Sequence, residues 1–102
     1  MQFIITAYDG KDEKALERRL QAREEHLKGV EQRSKDGEHL YAAAILDEEE
    51  KMIGSMMVVE YPSRVELNQW LKEEPYVTGK VWEKIEVQQC KVPALFTQLN
   101  KD

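Results

Sequence analysis

The chain has one cysteine and no long hydrophobic run, and each of these absences excludes a class of protein. Cys90 has no second cysteine to pair with, so an intrachain disulfide cannot form, and one thiol is too little for a zinc cluster. We therefore expect a cytoplasmic protein. The first apolar run, Phe3 to Tyr8, is too short for a signal peptide, and no stretch has the length of a membrane span.

Basic residues are in the minority. The 102 residues include 15 lysines and arginines against 20 aspartates and glutamates, which gives a formal net charge of −5. An acidic chain without a basic block is a poor candidate for binding nucleic acid or an anionic membrane, so we expect neither as a partner. An anionic small molecule can still bind where a few basic side chains converge.

Motifs for cofactors and nucleophiles are missing as well. The chain has no H-E-x-x-H sequence, phosphate loop or dinucleotide fingerprint, and its two histidines, His26 and His39, are not at metal-ligand spacing on one helix. We therefore predict no metal and no cofactor. Ser55 lacks the G-x-S-x-G context of a nucleophile. His39, at the start of a strand, is predicted to be solvated.

The hydrophobic pattern predicts four strands separated by helices. Four segments have the composition and spacing of strands: Gln2–Tyr8, His39–Leu46, Met52–Tyr61 and Val81–Lys91. A helical period extends from about Asp12, a suitable N-cap, to Lys35, and Gly37 is a suitable helix stop. The second and third strands are close enough in the chain to form a hairpin.

A second helix follows the hairpin. Ser63 and Glu66 have the spacing of a capping box at its start, and Pro75 ends it or begins a new turn. The order β-α-β-β-α-β predicts an α+β, ferredoxin-like fold with a four-stranded antiparallel sheet and both helices on one face. We expect one domain over residues 1–92 and a C-terminal tail over residues 93–102.

Three of the strands are apolar on both faces. Gln2–Tyr8, Leu40–Leu46 and Met52–Tyr61 are nearly continuous apolar runs, whereas a sheet with one solvated face should alternate. Two helices cover one face, and the chain has no further element for the other. We therefore predict a homodimer in which two sheets pack face to face as a dimeric α/β barrel.

His26 is the side chain best suited to proton transfer at neutral pH. It lies on the first helix, whose apolar residues are Leu16, Leu20, Leu27 and Val30. On a helical wheel Arg23 falls about 25° from the centre of this stripe, with Arg19 and His26 on one flank within about 85°. The wheel therefore predicts that Arg23 points inward.

Two interpretations of this helix remain open. In the functional one, a pocket under the helix binds an acidic or oxygen-rich small molecule, with His26 as general acid or base. In the structural one, Arg23 pairs with a structural carboxylate and His26 caps the rim of the barrel. A buried arginine needs a partner or a polar cavity in either case.

The ordered motifs of the chain resemble those of the YciI-like family. They include Tyr8-Asp9, Arg19-Leu20, Arg23-x-x-His26-Leu27, Gly54-Ser55, Glu74-Pro75-Tyr76-Val77 and Gly79-Lys80-Val81. The resemblance implies a dimeric α/β barrel and a cleft with a catalytic His–carboxylate pair. That pair would be His26 and Glu74, where Glu74 replaces the family's aspartate.

The resemblance also implies a class of function. We expect a small-molecule enzyme of lyase or isomerase type, with Arg23, Tyr76, Ser55 and Asp9 as substrate-binding residues and an anionic or enolic ligand. The alternative is a non-catalytic dimer that binds a metabolite or acts as an accessory protein. A cofactor-free monooxygenase of the same barrel type is a third hypothesis.

Overall fold

The chain forms four strands and four helices, described by a computed structural model for residues 1–98 without the side chain of Gln98. Their bounds are β1 Gln2–Asp9, α1 Ala15–Lys35, β2 His39–Leu46, β3 Met52–Glu60, α2 Arg64–Glu73, α3 Pro75–Thr78, β4 Trp82–Cys90 and α4 Ala94–Gln98. Helix α4 lies in the predicted tail, of which residues 99–102 lie outside the described residues. Within the described part, no helix is long and apolar enough to cross a bilayer.

All neighbouring strands are antiparallel, in the order β2-β3-β1-β4. This confirms the predicted ferredoxin-like fold. Alternate residues of β1 point to the helices, and Ile5 lies opposite Met57 of β3 and Val87 of β4. The core lies between this face and the helices, and its buried side chains include Phe3, Ile5, Ala7, Met57, Val59, Leu67, Tyr76, Val81 and Trp82.

The opposite face of the sheet is apolar over three strands. In register on this face lie Ile4 of β1, Val58 of β3 and Tyr41 of β2, and the Tyr41 side chain is 63% exposed in the single chain. On β4 the residues paired with Tyr8, Thr6 and Ile4 are instead Lys84, Glu86 and Gln88. The open face is therefore apolar on the β1–β3–β2 side and polar along the β4 edge.

The helix boundaries follow the local capping chemistry. The prediction of Asp12 as N-cap is wrong: α1 begins at Ala15, because the Asp12 side chain accepts from the Lys14 N–H at 3.2 Å and pairs with Arg18 at 2.7 Å. Gly37, with a φ of 79°, confirms the predicted stop, since this left-handed conformation favours glycine.

The start of α2 confirms the predicted N-cap. The Ser63 hydroxyl accepts from the Glu66 N–H at 3.3 Å, which satisfies one of the free donors of the first turn. Glu74 leaves the helical conformation, with φ −62° and ψ 127°, and Pro75 then begins α3 rather than extending α2. This break places the Glu74 side chain between two helices.

Helix α1 is rotated relative to the predicted wheel. Its buried residues are Ala15, Arg19 and His26, whereas Leu20 is 55% exposed and Leu27 45% exposed. The prediction that Arg23 points inward is wrong in this chain, since Arg23 is exposed. The flank carrying Arg19 and His26 faces inward because both side chains find buried partners there, as described next.

Candidate active site

His26 and Glu74 form a buried pair between α1 and the junction of α2 with α3. The His26 Nδ1 and Glu74 Oε1 atoms are hydrogen-bonded across 48 positions of sequence. The Glu74 side chain is fully buried, and its Oε1 atom also accepts from the Tyr76 N–H at 3.3 Å. A carboxylate with several donors is held in one orientation, so the predicted His–carboxylate pair is present with a fixed geometry.

The second oxygen of Glu74 is bound by Arg33. The Arg33 Nη2 atom lies 3.2 Å from Glu74 Oε2, and the guanidinium lies over the Trp70 ring at 4.8 Å from its centroid. Arg33 Nε donates to His39 Nδ1 at 3.4 Å. The carboxylate is therefore shared between a permanent cation and a titratable ring.

His39 is buried beside this pair, so the prediction of a solvated His39 is wrong. Burial, together with the positive charge of Arg33, lowers the pKa of His39 from its ordinary 6.5 to about 4. His39 is therefore neutral at neutral pH and acts as an acceptor for Arg33. Its Nε2 atom is buried and has no hydrogen-bond partner among the described residues.

Aromatic rings hold the His26 imidazole in place. The ring stacks on Tyr76 with centroids 3.9 Å apart and an interplanar angle of 11°, and Trp82 meets it edge-on at 6.0 Å. Tyr76 is almost fully buried. Burial raises the pKa of the Tyr76 phenol against the opposing charges of Arg19 and Arg23, so the phenol stays neutral.

Arg19 forms a second buried cluster on the other side of Tyr76. Its Nη1 atom donates to both Asp9 oxygens at 2.9 and 3.0 Å, and its Nη2 atom donates to Ser55 Oγ at 2.9 Å. The Arg19 guanidinium lies 4.8 Å from the Tyr76 ring centroid. Trp82 Nε1 donates to the same Ser55 oxygen at 3.2 Å. These contacts fix Arg19 against the sheet.

The Arg19 pair is enclosed by protein. Burial raises the pKa of Asp9, and the adjacent Arg19 charge counteracts this by favouring the carboxylate. Arg19 keeps one unused donor, since its Nε atom is buried without a partner among the described residues. Arg19 was placed on the flank of His26 by the wheel but was not predicted as a site residue. The signal was its seven-residue spacing from His26, which puts both on one face of the helix.

A cleft of about 140 Å³ lies between α1 and strands β2 and β3. Its polar lining is Arg19, Arg23, His26, Ser55 and Tyr76, and its apolar lining includes Leu27, Val30, Ala42, Ala44 and Met57. Four predicted site residues thus border one cleft. The other two do not border it: Glu74 contacts His26, and Asp9 contacts Arg19 and lines the larger groove described next.

A larger groove of about 840 Å³ opens at the end of the sheet near Tyr8 and Met52. Its charged side chains of both signs include Lys11, Asp47, Lys51 and Glu83. Asp9, the ion-pair partner of Arg19, lines this groove, whereas His26, Glu74 and Arg19 do not. We therefore assign the functional site to the smaller cleft, where buried polar groups converge.

The groups that the cleft offers are suited to proton exchange and hydrogen bonding. His26 is a titratable ring, Arg19 a buried donor and Ser55 a hydroxyl. Over residues 1–98, no three histidine, cysteine, aspartate or glutamate side chains are close enough to hold a metal ion.

Comparisons with known proteins agree with the fold. A family model, that of the YCII-related domain, matches residues 1–91. No curated protein matches the chain in sequence. One similar solved structure is the 5-chloro-2-hydroxyhydroquinone dehydrochlorinase of Burkholderia phenoliruptrix AC1100 in complex with 2,5-dihydroxybenzoquinone. It has 19% identity and a TM-score of 0.79, over 93% of this chain and 98% of that one.

Two other solved structures are more distant. An antibiotic biosynthesis monooxygenase has 15% identity and a TM-score of 0.52, over 90% of this chain and 98% of that one. A dimeric ferredoxin-like protein from an uncultured marine organism has 15% identity and a TM-score of 0.54, over 90% of this chain and 94% of that one. At such identities the likeness shows the fold and leaves the chemistry to the residues of the site.

Proposed function

The chain belongs to the YCII-related domain family, and on that premise we propose that it is a small-molecule enzyme of lyase or isomerase type that works by proton transfer at His26. One observation carries the proposal: a buried, carboxylate-bound histidine borders a cleft that also holds a buried arginine. A histidine oriented by a carboxylate is a common arrangement for general acid–base catalysis.

The roles that we propose for His26 and Glu74 follow from their contacts. Glu74 binds the ring through Nδ1, so Nε2 is the ring nitrogen left to exchange a proton with a ligand in the cleft. Glu74 fixes the tautomer, and the stacking on Tyr76 fixes the plane of the ring. No side chain of the cleft is an evident nucleophile, which favours elimination or isomerisation over hydrolysis.

Arg19, rather than Arg23, is the buried arginine under α1, and we propose that it binds a substrate oxygen. The buried Nε–H of Arg19 has no partner among the described residues, and we propose that a carbonyl or enolate oxygen of the substrate would supply one. The Ser55 hydroxyl lies beside it, bound to Arg19 Nη2. Arg23 is exposed at the same cleft and adds a positive charge at the rim. Such a site suits an anionic or enolic ligand.

The substrate class is supported by the related dehydrochlorinase, whose complex contains 2,5-dihydroxybenzoquinone, a flat ring with several oxygens. We propose a hydroxylated ring of comparable size for this chain. The cleft of about 140 Å³ has room for a small ring. Its apolar lining is suited to the ring faces, and Arg19 and Ser55 are suited to the oxygens.

The test is turnover of hydroxyquinols and hydroxyquinones by the wild-type protein and by His26→Gln. We expect kcat to fall about 10²–10⁴-fold in the variant, which is the usual contribution of general acid–base catalysis. Unchanged turnover in a folded His26→Gln protein contradicts the mechanism. Ligand binding without turnover in the wild type would favour the non-catalytic alternative, and oxygen uptake would favour a monooxygenase.

We also propose that the chain is a homodimer through its open sheet face. The support is the apolar half of that face around Ile4, Val58 and Tyr41, together with the fold shared with a dimeric ferredoxin-like protein. Light scattering should give a dimer for the wild type and a monomer for Ile4→Lys. A matched variant on the polar edge, Glu86→Lys, should stay dimeric. A monomeric wild-type protein at micromolar concentration contradicts this proposal.

A further inference from the structure

Glu74 is a fully buried carboxylate, and such a group is ionised only when a positive charge compensates it. Two neighbours can supply that charge. His26 does so only by taking a second proton, whereas Arg33 carries its charge at all accessible pH values. Which of the two compensates Glu74 decides whether His26 is a base or an acid in the resting protein.

We propose that Arg33 is a positioning residue that compensates Glu74 and thereby keeps the His26 ring neutral, with Nδ1–H donated to Glu74 and the Nε2 lone pair free. This inference rests on the proposed function in one respect: the free Nε2 lone pair has a catalytic use only if His26 is the general acid or base. With Arg33 and Glu74 both charged, the cluster is already neutral, and a second proton on His26 would add an uncompensated charge to a buried site.

Arg33 is largely buried and is held in place by two contacts besides its ion pair with Glu74. Its side chain is only 13% exposed, its guanidinium packs on the Trp70 ring, and its Nε donates to His39 Nδ1. The neutral state of His39 fits this role, because a protonated ring could not accept from Arg33 and would repel it. Arg33 is therefore a preorganised cation whose position relative to Glu74 is defined.

The other charged and titratable groups near the pair leave this balance intact. Arg19 is neutralised by Asp9, at 2.9 Å. Arg23 is exposed, so solvent screens its charge. Burial raises the pKa values of Tyr61 and Tyr76, so both phenols are neutral. Arg33 is thus the one largely buried cation near Glu74, among the described residues, that has no other carboxylate as ion-pair partner.

The same contacts explain how a glutamate serves in this position. Its two oxygens accept from three donors: the His26 ring, the Tyr76 N–H and the Arg33 guanidinium. Arg33 binds Oε2, whereas His26 Nδ1 binds Oε1. In this chain the glutamate thus bridges a cation and a histidine ring.

The nitrogen chemical shifts of the His26 ring at neutral pH test the inference without requiring any turnover. The chain has two histidines, and loss of signals in His26→Gln assigns the ring. We expect wild-type His26 to have one protonated and one free nitrogen. In Arg33→Gln the ring should carry protons on both nitrogens, since it must then compensate Glu74.

Two further variants control for charge and for folding. Arg33→Lys retains the cation and should keep the ring neutral. Lys28→Gln removes a positive charge from an exposed position of the same helix and should behave as the wild type. A doubly protonated ring in the wild type overturns the inference whether or not Arg33→Gln folds, as does a neutral ring in folded Arg33→Gln.

The pH profile of kcat/KM gives a second readout once a substrate is known. The acid-side midpoint should rise by about one pH unit or more in Arg33→Gln, because the histidine gains a proton more readily beside an uncompensated carboxylate. A neutral wild-type ring with no turnover of any substrate would contradict the proposed function alone. Turnover at His26 with no change in ring protonation in Arg33→Gln would contradict the Arg33 inference alone.

Discussion

Helix α1 carries two arginines that each bind a buried carboxylate, and they lie in different surroundings. Arg19 meets Asp9 and Ser55 next to the sheet, and that cluster contains no histidine. Arg33 meets Glu74, which also binds His26. The difference is the His26 ring: we propose that it exchanges a proton with a ligand, whereas the proposed role of Arg19 is to bind a ligand oxygen.

The two clusters also differ in what they contribute to the stability of the fold. Both side chains of the Arg19–Asp9 pair are at most 4% exposed, so loss of either partner leaves a charge with no access to solvent. In the other cluster, Arg33 has partial access to solvent and His26 can change its protonation state. We expect the first cluster to matter more for stability and the second more for chemistry.

The largest expected effect is on stability. Asp9→Asn leaves Arg19 buried and uncompensated, and breaking a buried pair in this way costs about 3–5 kcal/mol. Glu74→Gln should cost less, because Arg33 can reach solvent, yet it should lower kcat more. Chemical denaturation and turnover of both variants give the comparison. A Glu74→Gln protein as destabilised as Asp9→Asn would remove the distinction between the clusters.

The control for this prediction is the exposed pair of Asp12 and Arg18. These side chains are as close as the buried pairs, with a separation of 2.7 Å, but solvent reaches both. Asp12→Asn should therefore change the unfolding midpoint much less than Asp9→Asn does. A similar change in the two variants would mean that burial is not the cause.

The features that depend on local pattern could be predicted from the sequence. The apolar strand segments, the Ser63 cap and the Gly37 stop are each encoded within a few residues, and the fold follows from their order. The pairing of His26 with Glu74 came from the family resemblance. A helical wheel describes one helix by itself, so it centred the leucines and placed Arg23 inward.

The remainder of the site depends on contacts between distant segments. Arg33 binds Glu74 across 41 positions, and Arg19 binds Ser55 across 36. The periodicity of α1 identifies neither Glu74 nor Ser55 as a partner of these arginines. His39 is buried because Trp70 and Arg33 pack on it, which the start of a strand does not reveal. The buried polar partners, rather than the leucines, decide which side of α1 faces the sheet.

A smaller effect concerns pH and the Arg33 cluster. The pKa of His39 is lowered to about 4 in the folded state from an ordinary 6.5, so the unfolded chain binds more protons in that interval. Stability should fall as the pH decreases through this window, by at most about 3 kcal/mol from this residue. The Arg19 cluster has no histidine, and the raised pKa of Asp9 gives it a dependence of the opposite sign, since the folded state then binds more protons than the unfolded chain.

His39→Asn isolates this contribution. The asparagine oxygen can accept from Arg33 Nε but does not titrate, so the variant should lose less stability on acidification than the wild type. The measurement is the free energy of unfolding of both proteins at the two ends of the window. Equal losses in the two proteins would show that His39 is not the group that takes up the proton.

The smallest expected effect tests the orientation on which both clusters depend. Leu20 lies next to Arg19 in sequence but on the exposed side of α1. Leu20→Ala should therefore change the free energy of unfolding by no more than about 0.5 kcal/mol. If the leucine stripe faced the core, the same change would cost about 2–5 kcal/mol.

Ala22, half-buried against the core on the inner side, gives the matched variant. Ala22→Leu should be destabilising by about 1–3 kcal/mol through overpacking. The opposite ranking of these two variants would show that the leucine stripe faces the core, as the helical wheel predicted. Arg19 and His26 would then not face their carboxylates.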